Sequence, residues 1–204
     1  MSFFDNMKTV GLLLIIVGLI NLIVAVGAIA IAGTHDFEEG RVRLGWVVVA
    51  ISTVIFGVLI LMFGMKTRSG PNDKVAFVSG LIRVLGLATI LGAIFSAVGL
   101  YLIEDGIGTA IGTFILLIII GLIYLWAAAK VAGKSKNVIS KVLWVILLII
   151  SLLAVLGNLM DFAYNISSDL WILMNAICSL CMCIVYIFVF VALLSPDVKN
   201  SMGI

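Results

Sequence analysis

Long apolar stretches alternate with short polar connections along the whole chain. Six of these stretches reach the roughly 20 apolar residues that a helix needs to cross a hydrocarbon core about 30 Å thick, and none has a proline inside it. None shows the ten-residue alternating pattern of a membrane β-barrel strand. Because a helix satisfies its own backbone hydrogen bonds in lipid, the pattern predicts an all-α fold, a polytopic bundle of six transmembrane helices. The predicted spans are Val10–Ala32, Leu44–Met65, Leu81–Ile103, Ile107–Ala129, Val142–Met160 and Leu170–Leu194.

The composition agrees with a membrane protein. The 204 residues are 64% hydrophobic and 11% charged, with a mean hydropathy of +1.38, whereas soluble chains carry about 25% charged residues. The net charge of +2, the two prolines and the three cysteines argue against a nucleic-acid binder, a disordered segment and a disulfide scaffold. We therefore predict a single integral membrane domain over residues 1–204, with the lipid bilayer as its partner and no nucleic acid.

The first apolar stretch has two interpretations. Lys8 precedes it and Ala28-Ile29-Ala30 imitates a cleavage site, as in a secretory signal peptide. Its apolar run is longer than the 7–15 residues of a signal-peptide core. We therefore predict a transmembrane helix here, with the signal peptide as the alternative.

Basic residues concentrate on one side of the predicted spans, where ten of the twelve lysines and arginines fall. The opposite side holds Arg41 and Arg43 together with seven of the ten acidic residues. Short loops rich in Lys and Arg remain in the cytoplasm. The sequence thus predicts a multi-pass protein of the cell (inner or plasma) membrane with cytoplasmic N- and C-termini. The ten basic residues are Lys8, Lys66, Arg68, Lys74, Arg83, Lys130, Lys134, Lys136, Lys141 and Lys199.

The spans form three similar pairs. Each pair begins with a basic residue before an apolar run, at Lys8, Arg83 and Lys141, and then reaches a short acidic turn. Such self-similarity indicates growth by duplication of a unit. We predict three tandem helical hairpins, over residues 8–66, 80–130 and 141–195.

This layout of a basic anchor, a Gly-Leu-Leu-x-Ile-x-x-Gly-type helix, a short outer turn and a glycine-containing return helix resembles the HdeD family. The best match is VGLLLIIVGL at residues 10–19. Members are small six-helix inner-membrane proteins of bacteria and archaea, associated in some bacteria with acid resistance. The proline that family repeats often carry near the end of the first helix is missing from all three hairpins. The resemblance implies a non-enzymatic, stress-related protein and supplies no catalytic residue.

Small residues recur at helical spacing. In lipid, helices associate through small residues that let their backbones approach. The pattern predicts a bundle packed through these faces, and it also offers faces for a homo-oligomer or for a membrane-protein partner. The most prominent glycines are Gly11, Gly18, Gly57, Gly64 and the pair Gly108-x-x-x-Gly112.

Polar side chains share one face on each of the last two helices. They can form interhelical hydrogen bonds, which contribute about 0.6 kcal/mol each in a bilayer, or they can line a water-filled crevice. Asn21 of helix 1 and Ser96 of helix 3 lie at a matching depth in the membrane and can belong to the same polar site. The predicted crevice residues are Asn21, Ser96, Asn158, Asp161, Asn175 and Tyr186.

Three ionisable residues are further candidates. Arg83 lies a few residues inside the third span, either as an anchor whose long stem reaches the headgroups or as a buried functional charge. Glu104 and Asp105 form a carboxylate pair that can share a proton, or they are simply solvated turn residues.

The three cysteines, Cys178, Cys181 and Cys183, lie close together in the last span. Cys178 and Cys181 are a weak candidate for a metal site, since Zn and Cu(I) favour thiolates but a tight site takes about four ligands. Cys183 points about 140° away from Cys178 on a helix, and the single histidine, His35, lies in a loop. The pattern favours buried structural cysteines, and we predict no metal and no cofactor.

No enzyme motif is present in the sequence, neither a nucleophile elbow nor a His-Glu-x-x-His helix nor a P-loop. The sequence therefore predicts a non-enzymatic integral membrane protein, stress-related or a component of a membrane complex. The alternative is a small-solute or ion/proton transporter, or a channel subunit, with the polar crevice between helices 5 and 6.

Overall fold

The computed structural model describes residues 6–34, 40–104, 106–133, 137–166 and 170–204. Six helices in this part of the chain are long and apolar enough to cross a membrane, so the predicted all-α bundle of six transmembrane helices is confirmed. A short seventh helix follows them. The helices are α1 (Met7–Thr34), α2 (Gly40–Ser69), α3 (Lys74–Glu104), α4 (Ile107–Ala132), α5 (Val138–Tyr164), α6 (Leu170–Leu194) and α7 (Pro196–Met202).

Most helices are longer than the predicted spans, because hydropathy marks only the part embedded in lipid. Helix α3 begins at Lys74 rather than Leu81, since the Asp73 side chain accepts a hydrogen bond from the Ala76 amide at 2.9 Å. Such N-caps satisfy amides that have no partner within the helix. Asn137 caps α5 in the same way.

The hydropathy pattern does not predict α7, although the sequence signals for its two ends are present. Pro196 occupies the first turn, and Gly203 ends the helix in the left-handed conformation with φ 74°. Proline at the start and glycine just past the end are typical of helices. The helix was missed because its apolar residues are too few to stand out beside a transmembrane span.

Helices α1 and α2, α3 and α4, and α5 and α6 each pack on each other, and α2–α3 and α1–α6 contacts join the pairs. By contrast, α4 and α5 meet only marginally. The helices therefore form an open series in the order α4, α3, α2, α1, α6, α5. The duplication of a hairpin remains a prediction.

The hydrophobic core lies in one half of the bundle. This half, here called the terminal end, contains the start of α1, the α2–α3 turn, the end of α6 and α7. Its buried residues come from all seven helices, so this end is closely packed. They include Met7, Leu14, Ile60, Phe77, Val131, Leu147, Phe188, Val198 and Met202.

Three long-range hydrogen bonds and one cation–π contact hold the terminal end together. The Met7 amide donates to Asn72 Oδ1 at 2.9 Å, and the Ser201 hydroxyl donates to the Val131 carbonyl at 3.0 Å. The Trp144 indole donates to the Leu193 carbonyl at 2.8 Å, and the Lys199 ammonium lies 5.5 Å from the same ring. Trp144 of α5 therefore contacts both the end of α6 and α7.

Glycines set the close approach of the first four helices. A Cβ added at Gly18 would lie 2.8 Å from the backbone nitrogen of Leu61, and one at Gly86 would lie 2.9 Å from the Gly121 carbonyl oxygen. The predicted glycine faces of α1 and α2 therefore pack on each other. Gly108 and Gly112 differ, because no described atom lies within 4 Å of a Cβ added at either. This pair does not contribute to packing within the described chain.

Candidate functional site

A cavity of about 280 Å³ lies among α2, α3, α4 and α6. Its polar lining consists of five uncharged hydroxyl side chains, and apolar side chains such as Phe56 and Leu117 complete the wall. The five come from the central parts of four different helices, and all five are half-buried. They are Ser52, Thr89, Ser96, Tyr124 and Tyr186.

The serines of the cavity are paired with each other. The Ser52 hydroxyl donates to the Gly92 carbonyl at 3.1 Å and lies 3.2 Å from the Ser96 hydroxyl. A Cβ added at Gly92 would be 3.6 Å from the Ser52 Cβ, in ordinary van der Waals contact. These bonds fix the rotation of α2 against α3.

The two tyrosines are arranged differently. Neither Tyr124 nor Tyr186 makes a side-chain hydrogen bond within the described residues, and both side chains are half-buried. The Thr89 hydroxyl donates to the Leu85 carbonyl of its own helix at 2.8 Å. Two phenol hydroxyls are therefore available to water or a small polar solute in the cavity.

A second polar cluster joins α1, α5 and α6. The Asn21 amide donates to the Cys178 sulfur at 3.4 Å and to the Val17 carbonyl at 2.8 Å. On the other side of α6, the buried Ser179 hydroxyl donates to the Asp161 carboxylate, which also accepts from Asn165 at 2.8 Å. The Asn21–Cys178 and Ser179–Asp161 bonds connect α1 and α5 to α6, so this cluster acts in packing.

The structure distributes the six predicted crevice residues over several places. Ser96 and Tyr186 line the cavity, to which α5 contributes no residue, while Asn21 and Asp161 make the separate interhelical bonds. Asn158 donates to the Ala154 carbonyl of its own helix at 2.7 Å, and Asn175 is exposed on α6. The polar cavity thus lies between α6 and the helices α2, α3 and α4, rather than between α5 and α6.

The polar pattern of the sequence did not single out Ser52, Thr89 or Tyr124. A usable signal was present, because residues 89, 92 and 96 recur at helical spacing on α3 and share one face. The missing information was which face of α2 and α4 opposes them. Only the interhelical register supplies it.

The ionisable candidates lie elsewhere. Arg83 is exposed on α3 and lines a groove with Lys66 at the terminal end. Glu104 ends α3, and the positions of its side chain and of Asp105 are outside the described residues.

All three cysteines are free. Cys178 accepts the bond from Asn21, Cys181 is buried, and the Cys183 thiol donates to the Val155 carbonyl at 3.6 Å. Among the described side chains, no three His, Cys, Asp or Glu residues come together as metal ligands would. Cys178 and Cys183 thus contact different helices, α1 and α5.

No family model, no curated protein and no solved structure matches this chain. Its function therefore has to follow from the geometry of the bundle and its cavity.

Proposed function

We propose that this chain is a non-enzymatic integral membrane protein that acts as a homo-oligomer, with α4 as the contact helix. The observation that carries the proposal is a glycine pair of α4, Gly108-x-x-x-Gly112, which packs against no other helix of the described chain. Glycines such as Gly18 and Gly86 already meet a neighbouring backbone, whereas this pair has no described neighbour within 4 Å. A GxxxG face lets two identical helices cross closely and associate in lipid.

The position of α4 supports this role. It packs on α3 through Gly121 but meets α5 only marginally, so it forms one edge of the open helix series. Its free side exposes Ile111 and Ile115 beside the two glycines. A second copy can therefore pack on α4 without displacing any contact of the bundle.

Changing both glycines to leucine is expected to abolish this association. In G108L/G112L the added side chains hold the two backbones apart, and we expect the dimer dissociation constant to rise at least about tenfold, equivalent to 1.4 kcal/mol. Energy transfer between separately labelled chains in liposomes measures the dimer fraction as a function of protein-to-lipid ratio.

The matched control is G157L. Gly157 is likewise an exposed glycine without a described neighbour within 4 Å, but it lies on α5, so dimerisation should persist. A monomeric wild type, or equal association of wild type and G108L/G112L, would refute the proposal. Loss of association in G157L as well would place the contact elsewhere.

The orientation is part of the proposal. Basic residues cluster at the terminal end, which favours a cytoplasmic location for both chain ends in the cell membrane. They include Lys8, Lys66, Arg68, Lys74, Lys130, Lys141 and Lys199. Exposed aromatic side chains, Trp46 and Tyr101, lie toward the other ends of α2 and α3, where an interfacial belt is expected. A role in acid or envelope stress follows from the resemblance to the HdeD family alone and remains a prediction.

The hydroxyl-lined cavity favours a second candidate function, a pathway for water or a small neutral solute. Its lining is uncharged, and two phenol hydroxyls have no described partner. Such a site can exchange hydrogen bonds with a polar solute without stabilising an ion. We therefore favour a neutral solute over an ion or proton within the transport alternative.

Thiol labelling tests the cavity. With the three native cysteines replaced by alanine, S96C should react with a membrane-impermeant reagent, because water in a continuous pathway is needed for thiolate formation. L91C, on the lipid-exposed side of the same helix, should react at least about tenfold more slowly. Equal, negligible labelling of both would exclude a pathway and leave the cavity as a packing defect.

The same reagent tests orientation in intact cells. A cysteine in place of Arg43, at the start of α2, should be labelled from outside. A cysteine in place of Asn200, in α7, should be labelled only after the membrane is opened. The opposite result would reverse the proposed orientation.

A further inference from the structure

A groove of about 610 Å³ lies between the end of α2 and the start of α3, at the terminal end of the bundle. Its apolar wall includes Leu59, Met62 and Phe63 of α2 and Phe77 and Val84 of α3. The rings of Phe63 and Phe77 stack with centroids 6.3 Å apart. The wall therefore suits an aliphatic chain rather than a fully hydrated solute.

The same groove contains two cations. Lys66 and Arg83 line it, both are exposed, and neither side chain has a hydrogen bond or ion pair with the described part of the protein. The groove also contains Asp73, but this carboxylate accepts the Ala76 amide in capping α3. The polar part of the groove is thus cationic overall.

The two cations lie at different depths. Gly80 packs against the Phe63 ring, so the Lys66 and Arg83 backbones are about six residues, or roughly 9 Å, apart along the bundle axis. Lys66 lies nearer the terminal end of the bundle, whereas Arg83 lies nearer its middle, from where its long side chain can extend toward the terminal end. An anion held by both side chains lies between these two levels.

We propose that this groove binds one anionic phospholipid from the adjoining leaflet. Its phosphate is held by Lys66 and Arg83, and an acyl chain lies along Leu59, Met62 and Val84. Basic pockets between transmembrane helices are suited to acidic headgroups, and guanidinium groups bind phosphate oxygens in a bidentate manner. The apolar wall beside the cations distinguishes a lipid from a free phosphate ion.

The test measures lipid bound to the full-length protein by native mass spectrometry, after purification in a mild detergent with phosphatidylglycerol or phosphatidylcholine. Wild type should retain about one phosphatidylglycerol and much less phosphatidylcholine. K66Q/R83Q should retain at least tenfold less phosphatidylglycerol. K66R/R83K, which preserves both charges, should restore binding.

The control variant is K130Q/K141Q, which removes the same number of charges near the terminal end but outside the groove. It should bind phosphatidylglycerol like wild type. If this control lost as much phosphatidylglycerol as K66Q/R83Q, binding would reflect general surface electrostatics. If wild type retained as much phosphatidylcholine as phosphatidylglycerol, the groove would not recognise the headgroup. Displacement of the lipid by millimolar inorganic phosphate would identify a free-anion site, and each of these outcomes would overturn the proposal.

Discussion

Replacing Gly18 with leucine is expected to separate α1 from α2 and to cost more stability than any other single change considered. A Cβ at this position would lie 2.8 Å from the Leu61 backbone nitrogen and 2.9 Å from the Gly57 carbonyl oxygen. Backbone atoms of a helix cannot rotate away as a side chain can, so the whole interface must open. We expect a loss of about 3 kcal/mol in the free energy of unfolding, measured by titrating the reconstituted protein with a denaturing detergent.

Gly33 provides the matched control for this change. It lies on the same helix, is exposed, and has no described atom within 4 Å of an added Cβ. G33L should therefore unfold within about 0.5 kcal/mol of wild type, as surface substitutions usually do. If G18L and G33L had the same free energy of unfolding, the close α1–α2 contact would be wrong.

The second large effect is expected from Phe188→Ala. Phe188 is completely buried in the core of the terminal end, and its removal leaves a cavity where side chains of several helices meet. Because an unfolded transmembrane helix already exposes this ring to lipid, little of the usual transfer free energy is lost. The remaining packing loss should reduce the free energy of unfolding by about 2 kcal/mol.

Phe114 on α4 provides the control that distinguishes loss of packing from loss of hydrophobic surface. Its ring is exposed on the lipid-facing part of the bundle. F114A removes the same atoms but creates no enclosed cavity, so its unfolding titration should stay close to that of wild type. Equal destabilisation by F188A and F114A would contradict a core concentrated at the terminal end.

The two pairs of variants also probe how unevenly the bundle is packed. The terminal end combines the buried core with α7 and the bonds of Met7, Trp144 and Ser201. Toward the other end, Ile107 and Met160 of the edge helices α4 and α5 are largely exposed. We therefore expect association and solute access to involve the open half, and stability to depend on the terminal half.

The candidate site shows which contacts the sequence does not predict. Asn21 and Asp161 were recognisable as polar groups at membrane depth, but their partners were not. Cys178 lies 157 residues from Asn21 along the chain, and nothing local determines which face of α6 meets α1. Of the cavity residues, Ser96 and Tyr186 were predicted as polar-site residues. Ser52 and Tyr124 also line the cavity, but they lie on helix faces whose orientation the sequence does not encode locally.

Hydropathy and charge along the chain are enough to predict the number of transmembrane helices, their approximate limits and the concentration of basic residues at one end. These properties depend on the transfer of each segment between water and lipid, which is additive over neighbouring residues. By contrast, helix packing separates α4 from α5, leaves Gly108 and Gly112 without a described neighbour, and brings five hydroxyls into one cavity. Helices in lipid gain almost nothing from hydrophobicity when they meet, so their order and rotation depend on close packing between residues far apart in the chain.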